Sequence, residues 1–433
     1  MSTAKSKKAK SNREKSSVSG GGTLVAVRAE LAACSSPDAQ IFVTLLESGN
    51  IAAARTENKA TRERFGDAYP SMGKKTSPFF AAHKGDSWPT AEELRDMLLK
   101  DYRDIYDETE EGNDGEDVVH VHDADREECR DGGREKRAAV QEKTSRQRDA
   151  VQLLTNITSP TYTTRNLILS IPSPLLEESF GVAKEQGGHL LSSSDLSCTI
   201  LPCNTYLRLQ HFNEGTTVST VLSGSIIHII WPPTEGNLAL LSQAYETYVV
   251  SCDPVAMDIS QHLEGGIAMV QRPGEALRVS PFCPVLTLTT ATTVLATYTT
   301  VPASSFYSIL TRLPFLTHWW ATELDSFLKR AAFGTALMAC LVRIMDCEFE
   351  TYTVKTVRQE LDTPGPFFDL VKGWDGVKKG VLEILSKEQK AALQKKWQGL
   401  LIRSIGKNCL MCGHVCHTKS KEMPKHFMEA HWL

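Results

Sequence analysis

Midway along the chain the hydrophobic pattern changes its period, and that change limits the folds open to it. Between residues 150 and 303 come short runs read as β-rich, among them "AVQLLTNI", "TRNLILSI", "TYLRLQHF", "STVLSGSIIHIIWPP", "GIAMVQRP" and "VLTLTTATTVLATYTTV". Gly, Pro, Asn and Ser separate them at the pace of an antiparallel sandwich or barrel. Each run needs hydrogen-bonding neighbours and a partner for its apolar face. Many short strands meet both needs only by closing or stacking their sheets.

Both flanks read as helix. Upstream, "TLVAVRAELAACSSPDAQIFVTLLESGN" holds apolar residues at helical intervals in two pieces, with Ser35 or Ser36 as N-cap and Pro37 in the first turn. In "SWPTAEELRDMLLKDYRDIYD", Thr90 caps a third helix, Glu92 and Glu93 suit its positive end, and Leu94, Met97 and Leu98 form a buried stripe. Downstream, "SSFYSILTRLPFLTHWWATELDSFLKRAAFGTALMACLVRIM" and "SKEQKAALQKKWQGLLIRSIG" return to the helical period.

The expected organisation is a disordered basic tail (1–22), an N-terminal helical region (23–107), a charged disordered linker (108–149), the β-rich region (150–303), a helical extension (304–406) and a terminal motif (407–433). In the tail, Lys5, Lys7, Lys8, Lys10, Arg13 and Lys15 read equally as a nuclear-import signal, a phosphate-binding arm or a solvated tail. His120 and His122 stand among carboxylates in the linker, which marks a hydrated acidic loop more than a metal site.

A net charge of -4 gives no global basic field, so any nucleic-acid contact has to come from local patches. The longest apolar runs are broken by charge or proline well short of a bilayer span, and no membrane segment is expected. The 11 cysteines are scattered, and the chain opens on "MSTAKSKKAKSNREK" rather than on an apolar signal. Both features fit a reduced, intracellular protein without structural disulfides.

The terminal motif, "NCLMCGHVCHTKSKEMPKHFMEAHWL", places Cys409, Cys412, His426 and His431 in the spacing C-x2-C-x13-H-x4-H. Two thiolates on a tight knuckle and two imidazoles about one helical turn apart make a closed tetrahedral site for zinc. The pattern resembles a single C2H2 zinc finger and implies a structural Zn2+ whose binding supplies most of the folding energy. Cys416, His417 and His414 are further candidate ligands that the spacing disfavours. Pro424 is unfavourable inside the expected helix unless the helix begins near it. By analogy with DNA-reading fingers, Lys419, Glu422 and Lys425 would face bases. One finger spans only about three base pairs, too few for specific binding alone, so protein docking is as good a reading.

The segment "VLSGSIIHIIWPPTEGNLALL" carries a second resemblance. Pro232, Pro233, Thr234, Asn237 and Leu238 resemble the signature that follows a core strand in the JmjC histone-lysine demethylases, nearest the branch with plant-homeodomain fingers. Gly224 stands at the preceding turn, and "PGEALRVSPFCPVLTL" resembles a later segment of the same family. The likeness covers roughly residues 150 to 303. It implies an α+β chain: a double-stranded β-helix (cupin/JmjC) barrel with N- and C-terminal helical extensions, and beyond them the small zinc finger.

That family holds Fe(II) with a His-x-Asp pair and a distant His, leaving open positions for 2-oxoglutarate and oxygen. Counted back without gaps, the pair falls on Leu209 and His211, and the distant His on Val285. The positions that anchor 2-oxoglutarate fall on Tyr206 and Ile226. Leucine and valine offer no lone pair, and Ile226 offers no cation, so neither Fe(II) nor 2-oxoglutarate is expected. A two-residue deletion would let His211 and Asn213 stand as the pair, with Glu214 as a further candidate. Yet no histidine lies between His262 and His318, so the second imidazole is missing in any register. His211 then fills the former pocket, and His228 reads as a satisfied structural histidine.

The function this implies is that of a catalytically degenerate JmjC-like regulator or scaffold in the nucleus. Its partners would be chromatin or nuclear proteins, with weak DNA contact through the finger. Two alternatives stay open. One is an Fe(II)/2-oxoglutarate-dependent lysine demethylase or hydroxylase with unusual ligands. The other is a zinc-finger DNA-binding transcription regulator whose barrel is a scaffold.

Overall fold

The computed structural model describes residues 24–53, 59–74, 89–111, 120–123, 147–163, 167–176, 189–192, 197–211, 214–322, 326–356 and 364–432. The whole expected basic tail, and 112–119 and 124–146 of the expected linker, lie outside the described residues. So does Asn213.

The fold is mixed α+β, with two sheets and many helices. In chain order the strands are β1 (Ile51–Ala53), β2 (Ser71–Lys74), β3 (His120–Asp123), β4 (Leu167–Pro172), β5 (His189–Ser192) and β6 (Ser197–Leu201). They continue as β7 (Tyr206–His211), β8 (Thr216–Ser223), β9 (Ile226–Ile230), β10 (Gly266–Gln271), β11 (Glu275–Val279), β12 (Pro284–Thr289) and β13 (Thr293–Pro302). One sheet runs β1-β10-β9-β12-β7 and the other β2-β11-β8-β13-β6-β4-β3, with β5 on β13. From β6 onward the chain crosses repeatedly from one sheet to the other, and every pairing among these strands is antiparallel.

Three pieces of this architecture differ from the sequence expectation. The run "AVQLLTNI", read as β-rich, lies mostly in a helix over 147–155, because Ala150, Leu153, Leu154 and Ile157 recur at helical spacing and are buried together. The N-terminal region, read as helical, also supplies β1, parallel to β10, and β2, antiparallel to β11. Within the expected linker, His120–Asp123 pairs with β4 as β3. Strands this short show no alternation of their own, and only the edges waiting for them in the sheets explain their conformation.

Three layers of apolar packing hold the sheets. Between them, Ile230, Ile267, Met269, Leu277, Val279 and Val285 fill one end, and Ile168, Leu201, Val221, Ile226 and Leu295 the other. His228 lies between, with Nδ1 2.9 Å from Thr287 Oγ1 and Nε2 3.3 Å from Gln271 Oε1. Both ring nitrogens thus have partners, and burial pushes the imidazole down to about 4. The far face of the larger sheet is covered by helices through Leu94, Leu98, Leu153 and Leu154. Thr90 and Glu93 cap the first of these reciprocally, with Glu93 N–H to Thr90 Oγ1 at 3.2 Å and Thr90 N–H to Glu93 Oε2 at 2.7 Å.

Helices also cover the outer face of the five-stranded sheet. They are α1 (Leu24–Ala33), α2 (Ala39–Glu47), α3 (Glu235–Ser251), α4 (Phe306–Thr311) and α5 (Leu313–Thr322). Leu209, Ile227, Ile229, Ala268, Val270 and Leu286 meet Val27, Phe42, Leu241, Leu310 and Leu313 there in one continuous core. Behind this layer come α6 (Ser326–Met345), α7 (Pro366–Ile384) and α8 (Lys387–Arg403). Among the described residues no helix is long and apolar enough to cross a membrane.

The residues around "WPPT" close a corner. Thr234 Oγ1 accepts the Asn237 amide at 3.2 Å and starts α3. Asn237 Nδ2 donates to the Pro232 and Glu264 carbonyls at 2.9 and 3.0 Å, while its Oδ1 accepts the Glu264 amide at 3.0 Å. At the β8–β9 turn Gly224 has φ +87°, and a Cβ there would stand 2.2 Å from the Thr292 carbonyl oxygen. Only glycine fits that turn.

Candidate metal centre

A knuckle and a widened helical turn bring four ligands together. Asn408 bridges to Val415, Cys409 N–H donates to the His414 carbonyl at 2.7 Å, and Gly413 N–H donates to the Cys409 carbonyl at 2.8 Å. Gly413 turns the chain with φ +78°. The thiols of Cys409 and Cys412 therefore point to one side. Helix α9 (Lys419–Phe427) follows and passes into a π-helical turn at Met428–Trp432.

That turn answers a question of geometry. His426 and His431 are five residues apart, which on an α-helix leaves them about 140° apart around the axis. Widening the last turn draws them to one face, as π-turns at functional sites often do. One ligand atom from each of Cys409, Cys412, His426 and His431 lies within 4.8 Å of every other. Cys409 Sγ is 3.6 Å from His431 Nε2, and Cys412 Sγ is 3.2 Å from His426 Nε2. Tetrahedral zinc, with its usual bond lengths, sets sulfur and nitrogen about 3.6 Å apart. The donor set fits such an ion.

The electrostatics fit as well. Burial lowers the His426 imidazole, helped by His414 and His431, so its lone pair is free for a metal. Burial raises the Cys409 thiol, so ligation needs a cation to displace its proton. His431 is buried, and its Nδ1 stands 2.8 Å from Asp375 Oδ2 of α7.

The three extra sequence candidates stay out of the cluster. Cys416 is buried with its Sγ 4.0 Å from Met423 Sδ. His414 stacks on the His426 ring at 4.3 Å between centroids, and His417 is exposed. Pro424 sits well inside α9, which starts at Lys419 rather than near the proline. Burial of Met423 and Phe427 on either side of it offsets the lost backbone bond.

The residues expected to face bases are mostly engaged within the chain. Lys419 Nζ donates to the Ser404 carbonyl and, at 3.1 Å, to Ser404 Oγ. Glu422 accepts the backbone amides of His417 and Thr418 at 2.8 and 3.0 Å, capping its own helix. Lys425 is exposed, 3.9 Å from Glu429. The whole module packs on an aromatic wall, with Trp374 to Trp397 at 5.1 Å, Trp374 to Trp432 at 6.3 Å and Trp397 to Phe427 at 6.3 Å.

The positions on which the resemblance sets the iron ligands do not converge. Across the β7/β12 ladder Val285 pairs with Gln210, but Thr287 pairs with Leu207, so β7 holds one more residue than β12 between those pairs. This bulge reverses the alternation along β7. Leu207 packs between the sheets, whereas Leu209 joins the outer core under the helices. His211 follows it outward. Its Nδ1 is 3.1 Å from Tyr245 Oη, and its ring is surrounded by Phe282, Phe315 and Trp319. Burial pushes it down to about 3. Val285 and Ile226 face the interior. His211, expected to fill the former pocket, lies on the outer face of the five-stranded sheet, beneath helices. Tyr206, read as a cosubstrate position, turns outward too and packs edge-on against Phe42.

Asp375 is the site residue that sequence reasoning missed. It lies far upstream of Cys409, in a helix with no motif of its own, and only the docked fold brings it to His431.

No protein-family model matches the chain. No curated protein matches it. Among solved structures, a cupin superfamily protein from Desulfitobacterium hafniense is similar at 10% identity, over 32% of this chain and 83% of that one, with a TM-score of 0.18.

Proposed function

We propose that this chain is a non-catalytic regulator or scaffold built on a JmjC-like barrel, with a structural zinc module at its C-terminal end. The repeated crossing of the chain from one sheet to the other after β6 supports a double-stranded β-helix. One observation carries the reading that the barrel does no iron chemistry. Leu209 and His211 sit on the opposite face of the sheet from Val285, and the interior between the sheets is filled with hydrocarbon around a fully bonded His228. Fe(II) chemistry needs three converging ligands and open coordination positions. Among the described residues the Cys409, Cys412, His426 and His431 group is the one that draws metal ligands together.

That group favours zinc in a structural role. Two thiolates and two imidazoles close a tetrahedron and leave no position for substrate. With Lys419 and Glu422 spent on the module's own fold, protein contact is a better use of this surface than base reading. In the nuclear setting proposed for the chain, those contacts would be with chromatin proteins.

Elemental analysis of the purified chain tests this directly. One zinc and no iron per chain is the expected result, together with no succinate formed from 2-oxoglutarate on lysine-methylated histone peptides. Stoichiometric iron with coupled succinate release would overturn it.

A further inference from the structure

The metal module resembles a free-standing finger in sequence, yet one face of a neighbouring helix grips it at four points. Helix α7 supplies Lys372, Trp374, Asp375 and Lys378. Lys372 Nζ donates to the Leu410 carbonyl, inside the cysteine knuckle, at 2.9 Å. Trp374 Nε1 donates to the His431 carbonyl at 2.9 Å. Lys378 Nζ reaches the Ala430 carbonyl at 3.5 Å. Asp375 Oδ2 faces His431 Nδ1 at 2.8 Å. Both ligand-bearing halves of the module are thus held by the same helix.

We propose that Asp375 is a positioning residue of the metal centre and that α7 belongs to the site, so that metal binding clasps the C-terminal turn onto the helical layer. This rests on the zinc reading above. A carboxylate at Nδ1 draws the imidazole proton to that nitrogen and leaves the Nε2 lone pair for the metal. In His431 that Nε2 is the atom turned toward Cys409 Sγ, at 3.6 Å. The carboxylate also makes the imidazole a stronger donor by stabilising positive charge on the ring. His431 is buried, with 3% of its side chain exposed, so its rotamer is held and the pairing is not an incidental surface contact. Asp375 itself is half exposed and lies 3.4 Å from Lys378, so it can be replaced without opening a cavity.

The test uses the full-length chain and zinc in competition with a chromophoric chelator. Asp375→Ala is expected to weaken zinc binding by roughly 10- to 100-fold, the range found for partners of metal-bound histidines. Asp375→Asn, which keeps an acceptor but loses the charge, should fall between the variant and the parent chain. Cobalt substitution supplies a readout that a merely structural role would not move. The thiolate-to-cobalt absorption should persist in Asp375→Ala while the ligand-field bands shift. With metal removed by chelator, parent and variant should melt together, because Asp375 acts through the ion. Unchanged zinc affinity in Asp375→Ala, beside a parent chain that does bind zinc, would overturn this proposal alone. A parent chain that takes up no zinc would overturn both it and the reading on which it rests.

Discussion

Writing His, Asp and His into positions 209, 211 and 285 should not create an iron site, and the cost can be worked from the packing. Leu209 is 3% exposed in the outer core, where an imidazole would find apolar neighbours. Leaving it unsatisfied costs about 1–3 kcal/mol. His211→Asp would put a carboxylate among Phe282, Phe315 and Trp319, with the Tyr245 hydroxyl as one donor. An uncompensated buried charge costs about 3–5 kcal/mol. Val285→His places a second polar ring beside Ile230 and Ile267, for about 1–3 kcal/mol more. The three together approach the whole stability of a typical domain, about 5–15 kcal/mol. No ion repays this, because the sheet itself separates residues 209 and 211 from 285. The assay is thermal unfolding with and without Fe(II) under anaerobic conditions, alongside iron counting. A triple variant that melts near the parent temperature and holds one iron would refute the opposite-face geometry.

Three further outcomes follow from the same packing. Gly224→Ala should cost at least about 1–2 kcal/mol from its left-handed φ alone, with the collision against the Thr292 carbonyl added, and a denaturant midpoint would show it. His228 is held at about 4, below its ordinary 6.5, so the unfolded chain binds the proton more readily. Its contribution, on the order of 3 kcal/mol, is therefore complete above about pH 6.5 and lost as pH falls toward 4. His228→Gln should flatten stability against pH in that window, leaving the slope that His211 contributes. Removing metal with a chelator should lower the melting temperature and redden the emission of the Trp374, Trp397 and Trp432 group. The stability at stake is about 2.7 kcal/mol for free metal at a hundredfold excess over its Kd. An emission spectrum indifferent to chelator would show that the module holds without an ion.

The two parts of the molecule were unequally legible in its amino-acid order. Cys409, Cys412, His426 and His431 could be picked out by spacing, because a knuckle and a helical turn are local and their geometry follows from residues close in the chain. The alternation of the runs between 167 and 302 likewise announced strands, since it is written within each run's own few residues. The change of period expected near 150 is too early, because 147–155 is a helix. The partners of those strands were less legible. β1 and β2 are too short to carry a pattern, and they are strands only because β10 and β11 offer them an edge.

What the sequence determined by itself, then, was the longer local elements and the ligand spacing at the C-terminal end. Tertiary structure decided which face each residue shows and which distant groups meet. The bulge in β7 turned Leu209 and His211 to the outer face of the sheet, because one extra residue reverses every side chain beyond it. Asp375 reached His431 only through the docking of α7 on the module, a contact set by the aromatic wall of Trp374 and Trp397 and by no pattern around Asp375 itself. Periodicity is a property of neighbours along the chain. Register and second-sphere contacts belong to neighbours in space.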